Sequence, residues 1–400
     1  MKVCFVKHNL ETNKDQIIST CEDFLSKLSV SCGFPIEIGT VEDLQTQKLS
    51  CILVGSGGAE RNFKELYKKL KGPFYLLTIP AFNSLAASFE IKGFLEKESQ
   101  CVEILHGEIE SIAKRLSVIQ RASDAICTLR KGRIGAIGDP TSLIASKVDP
   151  SRLQEGFGLE VVNLELSELV AEYHKGGYPE SSLTKELISK TFDKEEIVKA
   201  LNVYGAMKRI IDKYSLSGVT VRCFDLLGLI RTTGCLALAL LNAEGIPAAC
   251  EGDSKTLVSM MVIKALTGRS SFMANPSAMD FNKGQMILAH CTIPLDMVDD
   301  YSLVSHFESG IGVAVSADLH PCEVTLFKCD ETGRNYYVDT ANLLDTLHRS
   351  DLCRTQFLMS PKKGPEYLKE KAICNHQLII KGNWKEEVDE FFKMLKEYRV

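Results

Sequence analysis

Residues 248 to 256 read Ala-Ala-Cys-Glu-Gly-Asp-Ser-Lys-Thr and place two acids, Glu251 and Asp253, where an apolar strand stops and a helix starts. In an open α/β sheet, ligands bind in the crevice beyond the carboxyl ends of the strands. A carboxylate there can ligate a metal, carry a proton or cap the following helix. The run ahead of Glu251, Ile246-Pro-Ala-Ala-Cys250, carries no charge, and partial desolvation would raise the carboxyl pKa and suit it to proton transfer. An ordinary turn acid at 251 with a plain N-cap at 253 fits the same letters.

Two histidines extend the list. His290 closes the apolar run from Gln285 to Ala289, and His376 stands in Cys374-Asn-His-Gln-Leu, where strand alternation puts it on one face with Leu378 and Ile380. With a carboxylate, two imidazoles can form a divalent-cation site; each alone also fits a satisfied core position. Arg222 and Arg354 lie in apolar settings, so each is expected to hold a fixed partner, either a structural ion pair or an anion or sugar hydroxyl. Gly55-Ser-Gly-Gly58 follows a strand and has the composition of a phosphate cradle. It lacks the full dinucleotide fingerprint, and a tight turn is the simpler reading.

The elements that position these groups come in three textures. Residues 1–130 alternate strands (Lys2 to Val6, Cys51 to Val54, Phe74 to Ile79) with helices (Lys14 to Leu28, Arg61 to Leu70), the pattern of a parallel sheet covered on both faces. Residues 131–275 repeat the pattern, with strands Arg133 to Ile137, Gly158 to Leu164, Val219 to Phe224 and Ile246 to Glu251. The Gly-Asp-Pro turn at 138–140 ends the first of these. Helices are expected over much of 165–214, from Arg231 to Glu244 and from Lys255 to Leu266, with Asp253 or Ser254 as N-cap and Gly268 as stop. Residues 276–400 carry short alternating strands, a hairpin turn at Asp330-Glu-Thr-Gly333, and a final helix from Trp384 to Tyr398 that is expected to bury Trp384, Val388, Phe391, Phe392 and Leu395 on one face. The expected fold is α/β: two Rossmann-like parallel-sheet domains followed by a C-terminal antiparallel, barrel-like β domain.

Composition narrows the function. The 400 residues carry a net charge of −5, with 45% hydrophobic and 25% charged residues. No clustered basic face suggests nucleic acid, no apolar run reaches membrane length, and the N-terminus reads as a strand, not a signal peptide. A small-molecule substrate follows. The fourteen cysteines form no Cys-x-x-Cys pair, which argues against a cysteine-built zinc site and for reduced core thiols in a cytoplasmic protein.

Four stretches, in order, resemble the L-fucose isomerase and L-arabinose isomerase family, especially its shorter fucose-isomerase-like members. Glu251-Gly-Asp-Ser-Lys-Thr resembles a Glu-Gly-Asp-x-Lys-Thr segment whose glutamate binds manganese. Thr267-Gly268 followed by Phe272-Met-Ala-Asn275 resembles a segment ending in a metal-binding aspartate. Leu288-Ala-His290-Cys-Thr-Ile-Pro resembles a segment holding a ligand histidine, and Asn375-His376 resembles an Asn-His pair with the last ligand. The register covers residues 130 to 400; the first domain matches in architecture alone.

The resemblance implies a metal-dependent aldose–ketose isomerase working through an ene-diol on a small sugar. Mn²⁺ or Mg²⁺ would be held by Glu251, Asn275, His290 and His376, with Glu251 also the proton carrier. Arg222, Asp253, Arg354 and Asn375 are expected to bind substrate. The resemblance also implies a homo-oligomer, a trimer or hexamer, in which a neighbour's first domain could add contacts near His8 or Asn83. One departure stands out: the expected aspartate is Asn275, which can ligate but cannot move a proton, and the arabinose-type glutamate would fall on Ala274. Asp280 or Asp253 would have to replace it, with Asp280 the second catalytic candidate. Otherwise the chain is a divergent sugar- or polyol-binding relative without isomerase activity.

Overall fold

The computed structural model describes residues 1–10, 12–138 and 143–399. Asp139 and Pro140 of the Gly-Asp-Pro turn lie outside them. The chain divides into two compact units, residues 1–127 with 389–399, and residues 128–388.

In the first unit, β1 (Lys2–Val6), β2 (Glu37–Ile38), β3 (Ser50–Val54), β4 (Phe74–Thr78) and β5 (Val102–Leu105) form a parallel sheet in the order β2-β1-β3-β4-β5. Every residue of β3 and β4 is buried, as central strands covered on both faces require. Ile52, Val54, Leu76, Phe63 and Leu95 share one apolar cluster, each contributing roughly 1.5–3 kcal/mol by burial. Residues 389–399 close this unit. Glu390 accepts a hydrogen bond from Tyr75 and pairs with Arg115, and the Tyr398 hydroxyl donates to the Lys71 carbonyl at 3.1 Å.

In the second unit, β6 (Arg133–Ile137), β7 (Glu160–Leu164), β8 (Gly218–Val221) and β9 (Ala248–Ala249) form a parallel sheet in the order β7-β6-β8-β9. The expected strand from Ile246 to Glu251 contracts to two residues. Pro247 has no N–H, and the buried Asn242 side chain replaces a neighbouring strand, accepting from Ala248 N at 3.0 Å and donating to its carbonyl at 2.8 Å. The strand expected to run to Phe224 stops at Val221, and a helix starts at Cys223.

Beyond the sheet, β10 (Phe272–Asp280), β11 (Gln285–His290), β14 (Cys322–Cys329), β15 (Tyr336–Leu347), β16 (Thr355–Pro361) and β17 (Gln377–Lys381) close into an antiparallel barrel in the order β10-β11-β16-β15-β14-β17. A separate antiparallel pair joins β12 (Asp300–Val304) to β13 (Ala314–Asp318). The fold class thus matches the sequence expectation: two parallel α/β sheets and an antiparallel barrel.

The helix Ser254–Thr267 joins sheet to barrel, packing on β8 and β9 and also on β14 and β17. Ten of its fourteen residues are buried, so it is apolar around most of its circumference. No helix among the described residues is long and apolar enough to cross a membrane.

The helix Lys194–Tyr214 carries Gly205 against the loop at Gly177. A Cβ there would lie well inside contact distance of the Gly177 carbonyl oxygen, an oxygen held by Arg209 at 3.2 Å. Gly205→Ala is therefore expected to destabilise by about 1–3 kcal/mol through overpacking, although alanine is the better helix former. Urea unfolding checks this, and a variant as stable as the parent refutes it.

Candidate metal centre

Glu251 is placed by backbone constraints on both sides. Thr220 Oγ1 donates to the Ala249 carbonyl at 3.1 Å, and Gly252 N donates to the Val221 carbonyl at 2.9 Å. Between these anchors Glu251 adopts φ 61° and Gly252 φ 68°. The left-handed region is natural for glycine and uncommon for glutamate, and non-glycine residues held there cluster at functional sites. The turn projects the Glu251 side chain away from the sheet towards the barrel mouth.

The barrel supplies the histidines. β10 pairs with β17 through Phe272–Ala274 and with β11 from Asn275 onward, so Ala274 faces Gln377 and Asn275 faces Ala289. This change of partner sets His290, at the end of β11, and His376, just before β17, at one mouth of the barrel. Their rings meet edge to face at 5.3 Å. Glu251 Oε1 lies 3.5 Å from His290 Nε2 and 3.7 Å from His376 Nε2, longer than hydrogen bonds. Among the described residues, Glu251, His290 and His376 form a group whose ligand atoms all lie within 4.8 Å of one another.

Both Nε2 atoms, and Nδ1 of His290, are buried without a hydrogen-bond partner. Buried polar atoms are rarely left unpaired. Two imidazoles and one carboxylate converging on a common point are a donor set for a divalent transition metal with positions left open for substrate.

His376 is oriented from behind. Its Nδ1 lies 2.7 Å from Asp253 Oδ2, which fixes the tautomer and points Nε2 at Glu251. Asp253 also caps the helix Ser254–Thr267, accepting from Thr256 N at 2.7 Å and Thr256 Oγ1 at 2.6 Å. The cap was read from the sequence; the bond to His376 was not. Also unread was Lys328 on β14, whose side chain is 1% exposed and whose Nζ stands 3.9 Å from Asp253 Oδ2. A lysine within Leu326-Phe-Lys-Cys329 was the available signal.

The electrostatics follow from this packing. Burial pushes the Glu251 carboxyl up, but the facing imidazoles of His290 and His376 outweigh it and hold it below the usual carboxylate range. Burial likewise opposes ionisation of Asp253, and Lys328 and His376 overcome it. Burial would lower His376, yet the carboxylates of Asp253 and Glu251 raise it above its ordinary value.

The other sequence candidates are placed as follows. Asn275 Oδ1 accepts from Asn375 Nδ2 at 3.0 Å, which puts two amides at the same barrel mouth. Asp280 sits at the far end of β10, roughly 17 Å along the strand from Asn275 at ~3.3 Å per residue. There its carboxylate accepts from Asn282 N and Lys283 N, both at 3.1 Å, so the structure does not bring it to the cluster. Arg222 pairs with Asp225 at 2.9 Å, and Arg354 Nε donates to the Ser305 carbonyl at 2.8 Å. All fourteen cysteines are free and none belongs to the ligand group. Cys223 and Cys250 Sγ approach to 2.8 Å beneath the Glu251 turn.

No family model matches the chain. Two curated proteins are similar to it, both named sulfoquinovose isomerase. The one from Alkalicoccus urumqiensis is 24% identical over 273 residues, covering 64% of this chain and 60% of its own length. The one from Clostridium sp. (strain MSTE9) is 24% identical over 310 residues, covering 72% of this chain and 69% of its own. The chain thus spans less than two thirds of the first relative. A likeness to sugar isomerases is shown at that level; neither relative carries the fucose or arabinose name.

Proposed function

We propose that the protein is an aldose–ketose isomerase for an open-chain sugar, with a divalent cation held by Glu251, His290 and His376. The observation that carries this is the convergence of one carboxylate and two buried, unpartnered imidazole nitrogens at the meeting of a parallel sheet's carboxyl edge and a barrel mouth. The relatives' name makes a 6-sulfonated aldose, sulfoquinovose, the first substrate to test. Two imidazole donors favour Mn²⁺ over Mg²⁺, which prefers oxygen ligands.

A bound cation supplies Lewis-acid polarisation of the substrate's adjacent oxygens. Glu251 removes the proton from C2 and returns it to C1, the sugar passing through an ene-diol. Its depressed pKa keeps it ionised and ready to accept. Asn275 and Asn375 offer amide groups to sugar hydroxyls. A cytoplasmic trimer or hexamer belongs to the same reading.

Proton NMR in D₂O, on a panel of aldoses including sulfoquinovose, tests the proposal: C2–H exchange and ketose formation are expected with Mn²⁺. The cation is also expected to stabilise the fold, by about 2.7 kcal/mol at a hundred times its Kd, and His376→Ala is expected to remove most of that gain in a thermal melt. Unchanged melting of the parent with Mn²⁺ argues against the site.

Asn275 favours a second reading. Its amide is engaged by Asn375, and Asp253 is committed to His376, so Glu251 has no acidic partner for proton transfer in the described ligand group. The chain would then bind a sugar without isomerising it. Sugar-dependent thermal shifts with no C2 exchange on any aldose support that reading and overturn the first.

A further inference from the structure

Lys328 is the most deeply buried lysine in the barrel wall, at 1% exposure. A lysine in such a position is rare unless paired. It reaches past the sheet of the barrel to the helix Ser254–Thr267, where its Nζ donates to Thr256 Oγ1 and lies 3.9 Å from Asp253 Oδ2. Thr256 Oγ1 in turn donates to that same Oδ2 at 2.6 Å, and Oδ2 meets His376 Nδ1 at 2.7 Å. Asp253, Thr256 and His376 are each 0% exposed. Lys328, Thr256, Asp253 and His376 therefore form one buried chain of polar groups ending at the Nε2 that faces Glu251.

We propose that Lys328 is a positioning residue for the metal centre: with Thr256 it fixes the place of the Asp253 carboxylate, and Asp253 holds His376 through Nδ1 so that Nε2 faces the cluster. The inference rests on the reading of Glu251, His290 and His376 as a cation site. The chemistry needs this support. A carboxylate at 0% exposure depends on protein groups to hold it in place. Without Lys328 and Thr256 the carboxylate loses contacts that fix its position, and the ring it orients is free to turn away from Glu251. Lys328 supplies that hold from β14, the strand beside β17, so the barrel orients its own ligand.

The test uses the full chain and Mn²⁺ as probe. Free Mn²⁺ is measured by electron paramagnetic resonance, and the ring nitrogens of His376 are followed by ¹⁵N NMR in metal-free protein. Lys328→Met keeps the volume and removes the charge. It is expected to weaken Mn²⁺ binding about 10–100-fold, as loss of an outer support of a ligand does, and to abolish the single Nδ1–H signature of His376. In an Asp253→Asn background the same change is expected to cost no more than about twofold, since the charge it served is gone. Thr256→Val, which breaks the bridge without removing a charge, is measured alongside and is expected to disturb the ring signature in the same direction; it carries the test if Lys328→Met does not fold.

Mn²⁺ affinity and ring signals like the parent's in both variants overturn the proposal, whatever the melting temperature, because a purely structural lysine would lower only the latter. Failure of the parent to bind Mn²⁺ overturns the cation-site reading instead, while the metal-free ring signals still decide whether Lys328 orients the ring.

Discussion

Glu251→Gln is expected to slow isomerisation by about 10³-fold, within the ~10²–10⁴ range of a positioned general base. Glutamine keeps the size of the side chain and an oxygen that can ligate weakly, so the cluster's shape survives while the proton carrier is lost. The effect should fall on kcat with Mn²⁺ saturating, separating the carboxylate's two roles: lost ligation is made good by more cation, lost base is not. Because no second acid stands in the ligand group, nothing is placed to take over. Turnover within tenfold of the parent at saturating Mn²⁺ would refute the assignment of Glu251 as base.

Asp253→Ala is expected to be the most damaging single change to stability, by about 3–5 kcal/mol, the scale for breaking a buried ion pair by deleting one partner. It strands Lys328 at 1% exposure, leaves His376 Nδ1 without its acceptor, and removes the cap of the helix that joins sheet to barrel. Guanidinium unfolding of parent and variant measures the loss. Its pH dependence has a definite sign. Asp253's folded pKa lies below the ordinary carboxylate value, so its contribution is fully present above the unfolded value of about 3.9 and disappears as pH falls from there through the folded value. The gap between parent and variant should widen as pH falls through the raised His376 value, because Asp253 stabilises that imidazolium, and narrow only in strong acid. A gap that narrows between pH 8 and 6 instead would assign the stability to another group.

How much of this centre could be read from the letters depends on sequence distance. The cap at Asp253 and the stop at Gly268 are local, set within one helical turn, and both were legible. The strand–helix alternation of the two parallel sheets was legible for the same reason. β10 was not, since Phe-Met-Ala-Asn-Pro lacks alternation and Pro276 adjoins a register shift against β11. The strand before Glu251 was overread, because apolar letters cannot show that Asn242 would stand in for a neighbour. The bond between Asp253 and His376, 123 residues apart, is made where the helix Ser254–Thr267 packs on the barrel, which no local pattern encodes. Family likeness pointed to His376 as a ligand but not to the aspartate behind it or the lysine behind that. The sequence also left Asp280 open as a second acid; the hairpin turn that occupies its carboxylate settles where it sits.

The membership of residues 389–399 in the first unit has a consequence for biosynthesis. A ribosome delivers β1 to β5 early, yet Glu390, the partner of Tyr75 and Arg115, emerges only after the whole second unit has been translated. At roughly 5–20 residues per second, the nascent first unit waits on the order of ten seconds or more with Tyr75 lacking its Glu390 acceptor and Arg115 held by Glu103 alone of the two carboxylates. During that interval the sheet lacks the segment that closes it, and a nick near residue 389 bears on the stability of strands translated long before it.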